Sequence, residues 1–133
     1  MPTLTAAQRR AADKAAYDAF IAQCPSRQLL DRLSDKWVTL AMVALKKGPQ
    51  RYSELSRTMA GVSQKMLTQT LRTLERDGLV TRTVTASVPV TVTYELTELG
   101  RSLQSVVELL KDWAEGHMDL VLAARSTYDA HSA

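Results

Sequence analysis

Covalent cross-links, metal ligands and long apolar runs are what this sequence lacks. One cysteine, Cys24, among 133 residues excludes an internal disulfide, and with two scattered histidines it provides no zinc-ligand spacing. Catalysis lacks its parts as well. Cys24 has no histidine or acid nearby in sequence, and no nucleophile and base are clustered elsewhere, so neither an enzyme nor a cofactor is expected. No apolar stretch approaches the roughly 20 residues of a membrane span, and the N-terminus has no signal-peptide core. The expectation is a cytoplasmic protein without a membrane partner.

What is present is a run of recognisable elements from Arg51 to Thr97. Gly48 and Pro49 close a preceding helix, and Arg51 and Tyr52 leave room for a very short strand. Ser53 is the expected cap of a helix to about Met59 that buries Leu55 and Met59, with Gly61 as its breaker. Ser63 caps the next helix, which runs to about Asp77 and carries Leu67, Leu71 and Leu74 on one face. Gly78 ends it. Leu79 to Thr85 and Thr91 to Thr97 then read as antiparallel strands around a tip at Ala86-Ser87-Val88-Pro89-Val90. Helix, turn, helix and hairpin in this order are the layout of a winged helix-turn-helix, and they make double-stranded DNA the first partner to consider.

Opposite the three leucines, the second helix presents Lys65, Gln69, Arg72 and Arg76, with Thr68 at the edge and nothing acidic at the centre. The second helix of such a motif enters the major groove, so Lys65, Thr68 and Gln69 are candidates for base edges. Arg72 and Arg76 are placed to meet the backbone. Ser63 and Gln64 lie where free N–H groups favour a phosphate, and Arg82 is the one obvious cation of the wing. Charge follows the same division. Residues 46–82 hold eight basic and three acidic side chains, whereas residues 83–133 hold three and seven. A net charge of +3 therefore conceals a basic centre and an acidic C-terminal part.

These residues also carry a family resemblance. Cys24-Pro25, Asp35-Lys36-Trp37, Gly48-Pro49, the run Arg51-Tyr52-Ser53-Glu54-Leu55, Ser63 to Thr68, Asp77-Gly78-Leu79-Val80, Tyr94 and Leu96-Thr97-Glu98-Leu99-Gly100 closely resemble the HxlR-type bacterial regulators. The resemblance covers about Cys24 to His117. It implies a dimeric winged-helix transcription factor, related in architecture to MarR-type proteins, that binds a near-palindromic operator and often represses a nearby gene. It places Ser63, Gln64, Lys65, Thr68, Gln69 and Arg72 at DNA-facing positions. The wing departs from the pattern: Pro89 is followed by Val90 and Thr91, not by a second proline and a basic residue. Expected contacts therefore shift from the wing tip to the helix and Arg82.

The chain is about twice as long as a winged helix needs, and both ends read as helices. Leu99, Leu103, Val106, Leu110, Trp113, His117 and Leu120 follow alternating spacings of four and three, a continuous seam on a helix starting near Glu98. At about 1.5 Å per residue it would reach roughly 35 to 40 Å, beyond what one winged domain covers, so Leu103, Val106, Leu110, Trp113, His117 and Leu120 are assigned to a homodimer interface. Thr5 is the expected cap of an alanine-rich helix to about Gln23, whose Ala12, Ala16, Ala19 and Phe20 offer a close-packing face. The expected organisation is an N-terminal helical extension over 1–23, a DNA-binding domain over 24–97 and a dimerisation helix and tail over 98–133. The fold class is mainly α with a small antiparallel hairpin.

Between the helices, Cys24 precedes Pro25 and Ser26, the expected cap of another helix, with Arg27 close by. A thiol at a helix start is placed for a lowered pKa, and some relatives that the chain resembles sense oxidants or electrophiles with the cysteine of this Cys-Pro pair. The alternative is an inert small hydrophobe. Trp37, Leu40, Ala41, Ala44 and Leu45 read as core, Trp113 as an interface anchor beside which a small effector could lodge, and His117 as a hydrogen-bonded structural residue. The competing functional class is a winged domain that binds protein without reading DNA.

Overall fold

The computed structural model describes residues 3–132 as six helices and a three-stranded sheet. The helices are α1 (Ala6–Gln23), α2 (Pro25–Leu33), α3 (Lys36–Leu45), α4 (Tyr52–Thr58), α5 (Gln64–Arg76) and α6 (Glu98–His131). The strands are β1 (Gln50–Arg51), β2 (Val80–Thr85) and β3 (Thr91–Leu96), arranged antiparallel in the order β1-β3-β2. Two compact units divide the chain, one ending at Lys36 and the other beginning at Trp37. The segment after Cys24, expected to open the DNA-binding domain, thus groups with α1, and α6 groups with the winged elements.

In the N-terminal unit, Thr5 caps α1 as expected. Its hydroxyl accepts from the Gln8 backbone N–H at 3.1 Å while the Gln8 side chain accepts from the Thr5 N–H at 2.9 Å. α1 buries none of its residues, and Tyr17 and Phe20 are exposed. The cap expected at Ser26 lies two residues too far in. Cys24 is the N-cap residue and Pro25 the first helical position, where a missing N–H costs nothing and the fixed φ suits the helix.

The core of the second unit is built from α3, α4, α5, β2 and β3. Val38, Met42 and Leu45 of α3 meet Leu55, Met59, Leu67, Leu71 and Leu74, and Tyr94 and Leu96 close the cluster. Ala41 and Ala44 are buried as expected and Trp37 packs partly against the core, but Leu40 is 42% exposed and does not belong to it. Val38 and Met42, one turn apart, take the inward face instead. The short helix α4 begins at Tyr52, not after Ser53. The Glu54 carboxylate accepts from the Arg51 N–H at 3.3 Å, so the acidic residue of the first turn does the capping that Ser53 was expected to do.

α5 ends as its sequence requires. Gly78 adopts φ +74°, the Leu79 N–H donates to the Leu74 carbonyl at 3.0 Å and the Gly78 N–H donates to Glu75 at 3.0 Å, a Schellman closure that only a residue free of Cβ strain makes cheaply. β2 pairs with β3 along its whole length, from Val80 opposite Leu96 to Thr85 opposite Thr91, and β1 adds Gln50 opposite Tyr94. Only the sheet's base is buried. Val80, Tyr94 and Leu96 enter the core, while residues 81–90 are exposed, so the hairpin projects as a wing.

α6 is pinned to that base. The Thr97 hydroxyl donates to the Gly78 carbonyl at 2.7 Å and accepts from the Gly100 N–H at 3.0 Å, and the Thr97 N–H donates to Leu79 at 3.0 Å. Gly100 is buried against that base, and only glycine fits, because a Cβ would run into the Leu79 carbonyl oxygen and lie 3.2 Å from Leu96 Cδ2. α6 holds 34 residues, about 50 Å at 1.5 Å per residue, so it is longer than expected. Among the described residues of α6, only Gly100, Gln104 and Val107 are buried. No helix among the described residues is long and apolar enough to cross a membrane.

Candidate nucleic-acid interface

α5 separates its two faces cleanly. Leu67, Leu71 and Leu74 are buried to 1% exposure or less and Thr70 is buried beside them, while Lys65, Gln69, Arg72 and Arg76 are exposed. Burying three leucines contributes on the order of 1.5 to 3 kcal/mol each, which fixes the rotation of the helix and so the direction of its polar face. Among the described residues, Lys65, Arg72, Arg76 and Arg82 make no salt bridge. Their charges are available to phosphate. By contrast Lys46 pairs with Glu108 at 3.0 Å and Arg51 lies 4.0 Å from Glu54, so part of the basic central segment is neutralised within the chain.

The start of α5 is fastened twice. Ser63 Oγ accepts from the Met66 N–H at 3.1 Å, the expected cap. The second fastening comes from Tyr52, expected in a very short strand with Arg51 but placed at the first position of α4, since β1 takes Gln50 and Arg51. Its hydroxyl lies 3.1 Å from the Gln64 carbonyl, to which it donates, and 3.2 Å from Thr68 Oγ1. Thr68 is therefore half-buried and engaged by α4, which gives it a positioning role in addition to any contact with a base. Only a long-range pairing, twelve and sixteen residues apart, links these groups, so no local spacing could have exposed it.

Between α5 and the wing lies a cleft of about 310 Å³ lined by Thr68, Arg72, Glu75, Arg82 and Tyr94. Arg82 sits opposite Tyr94 in the β2–β3 ladder, which carries it from the wing to the side of α5. Glu75 brings an acid to the cleft's edge. Along α5 alone Glu75 falls beside the basic face, and the folded hairpin turns that side into a wall. The wing tip carries no cation: Val88 and Val90 are exposed there.

The thiol of Cys24, in the N-terminal unit, is partly exposed. Its pKa is lowered from the ordinary thiol value, first by the backbone N–H of Arg27 and then by that of Ser26, with burial acting in the other direction and the Ser26 hydroxyl lowering it further. The lowering thus comes from free N–H groups at the start of α2.

The seam of α6 divides on folding. Leu103 packs partly against the core of its own chain, whereas Val106, Leu110, Trp113, His117 and Leu120 are exposed, Leu110 to 57% and Trp113 to 54%. His117 stacks on Trp113 with ring centroids 4.6 Å apart, and its Nδ1–H donates to the Trp113 carbonyl at 2.8 Å. No group of three or more metal-ligating side chains occurs among the described residues.

A capped recognition helix with an outward basic face, backed by an antiparallel wing, defines a winged helix-turn-helix transcriptional regulator. Residues 32–121 match the model of the HxlR-like helix-turn-helix family, and the chain belongs to that family. It is 44% identical over 106 residues to the HTH-type transcriptional regulator YtfH of Escherichia coli, covering 80% of this chain and 84% of that one. The structure of the transcriptional regulator YtfH from Salmonella typhimurium aligns with a TM-score of 0.72 at 45% identity, over 80% of this chain and 96% of its own. The redox regulator HypR in its reduced form aligns with a TM-score of 0.71 at 37% identity, over 75% and 99% of the two chains.

Proposed function

We propose that the chain acts as a homodimer that binds a near-palindromic DNA operator and represses transcription, with Cys24 coupling binding to oxidants or electrophiles. The observation that carries this reading is the outward face of α5, where Lys65, Gln69, Arg72 and Arg76 stand exposed and without a salt bridge. In the major groove, Lys65 and Gln69, nearer the N-terminus of α5, reach base edges. Arg72, Arg76 and Arg82 hold phosphates, and the free N–H groups at Ser63 and Gln64 hold another. Thr68, tied to Tyr52, sets the pitch of α5 against α4.

Two copies are needed because α6 leaves Val106, Leu110, Trp113 and Leu120 exposed along one seam with His117 between them, an apolar stripe that water disfavours. A two-fold dimer sets the recognition helices about 34 Å apart, matching half-sites about 10 base pairs apart. Similarity to a redox regulator and the lowered thiol pKa support the role assigned to Cys24.

The test is a gel shift on DNA from the region upstream of the chain's own gene, across a salt series. Arg72→Ala is expected to weaken all sequences alike and flatten the salt dependence by about one phosphate. Gln69→Ala is expected to relax preference at one position in each half-site, at about 1 to 3 kcal/mol. Retardation that ignores both sequence and salt would sink the assignment.

A further inference from the structure

We propose that the cavity at the base of α6 binds a small organic monoanion, an apolar body bearing one carboxylate, and that Arg101 holds the charge. The cavity has a volume of about 410 Å³, within the range of small-molecule sites. It lies between the end of α3, the end of β3 and the first turns of α6, where Lys46, Leu96, Arg101, Ser105, Glu108 and Leu109 line it. Its wall is mainly apolar, and Leu109 stands 68% exposed there. Leucine carbon left in water at a concave site favours an apolar occupant.

The polar groups of the lining differ in what they have left to give. Lys46 Nζ lies 3.0 Å from Glu108 Oε1, and Lys111 Nζ approaches the same oxygen at 4.0 Å, so the Glu108 carboxylate is already answered. The Ser105 hydroxyl donates to the Ser102 carbonyl at 2.7 Å. Gln104 also borders the cavity, but both polar atoms of its side chain are buried and closed to an occupant. Arg101 remains. Its Nη1 donates to the Leu96 carbonyl at 2.9 Å, which fixes the side chain beside a wall residue, yet a carbonyl carries no charge to balance the guanidinium. Among the described residues Arg101 makes no salt bridge. Lys46, Arg101 and Glu108, the charged side chains of the lining, therefore leave one positive charge uncompensated.

The chemistry of the occupant follows. A guanidinium with one donor engaged keeps the others, and its planar fork matches a carboxylate in two parallel hydrogen bonds. Arg101 is exposed, so water screens its charge. The apolar wall accordingly supplies most of the affinity, and Arg101 supplies the preference for an anion. One free cation suits one negative charge; a polyphosphate would find no second partner. None of these residues belongs to the DNA-facing set, so the proposal stands apart from the operator reading.

The probe is 2-naphthoate, added to the isotopically labelled full-length chain and followed by NMR. Saturable shifts of the Leu96 and Leu109 methyl groups are expected. 2-Naphthamide, which keeps the shape without the charge, and Arg101→Met, which keeps the apolar stem, should each weaken binding about fivefold, and Arg101→Lys should recover part of the loss. Leu109→Asn should weaken binding as well. Leu109 is exposed, so this variant should melt close to the parent chain, which separates lost binding from lost folding. No saturable shift, equal affinity for the amide or for the methionine variant, or shifts that map to the backbone amides of α5 instead would overturn the proposal. So would shifts that follow protein concentration and not probe, the behaviour of a cavity filled by a side chain of a second copy.

Discussion

α5 and the distal half of α6 are both amphipathic helices, yet they solve the problem of an apolar face in opposite ways. α5 buries its leucines in the core of its own chain and leaves a polar face outside. Beyond Val107, α6 buries no residue among those described, and Leu110, Trp113 and Leu120 remain in water. The same periodicity therefore serves two ends. In α5 it orients a reading surface; in α6 it leaves an adhesive one. In the proposed dimer both are needed, because the second surface would set the distance between two copies of the first.

The largest effect expected from breaking this comparison is at α5. Leu71→Ala should cost about 2 to 5 kcal/mol of folding stability, measured by chemical denaturation, because Leu71 is 1% exposed and its removal leaves a cavity. Trp113→Ala should leave the fold nearly intact and shift the monomer–dimer equilibrium by about 2 kcal/mol in sedimentation experiments, as expected of an aromatic interface anchor. Should Trp113→Ala unfold the chain without changing association, or Leu71→Ala leave stability unchanged, the contrast between the two helices would fail.

The smallest effect concerns how helices start. Ser63 and Thr97 each accept a hydrogen bond from the first turn of α5 and α6, respectively, whereas Cys24 at the start of α2 makes none. A thiol pKa lowered by N–H donors means that the thiolate persists to lower pH than in a free cysteine. The pH profile of alkylation of the folded chain should accordingly inflect below that of a short unstructured peptide of the same local sequence. An inflection at or above the peptide's would remove the basis for sensing.

Much of the reading surface was legible without coordinates. Ser63 as a cap, Gly78 as a terminator and the opposed leucine and basic faces of α5 all depend on residues three or four positions apart, and so do the Thr5 cap and the start of α6. Two local assignments failed for a local reason. At α4 the acid Glu54 accepts from the N–H of Arg51, the N-cap, and the helix starts one residue before Ser53, while at α2 Pro25 takes the first helical position and leaves Ser26 inside.

Other features were settled only by the packing of distant segments. Periodicity places Leu103 and Leu110 on the same seam, but the sheet base lies under the first turns of α6 alone, so Leu103 turns to its own core and Leu110 does not. Tyr52 reaches Thr68 across sixteen residues, Arg82 faces the cleft with Arg72 and Glu75 through the β2–β3 hairpin, and Gln104 is enclosed without a partner. Sequence alone determined where α1, α5 and α6 begin, where α5 stops and which faces α5 owns, because those depend on neighbours a turn away. Which of those faces meets the chain's own core and which meets solvent was decided by tertiary structure, because burial is a property of what lies opposite.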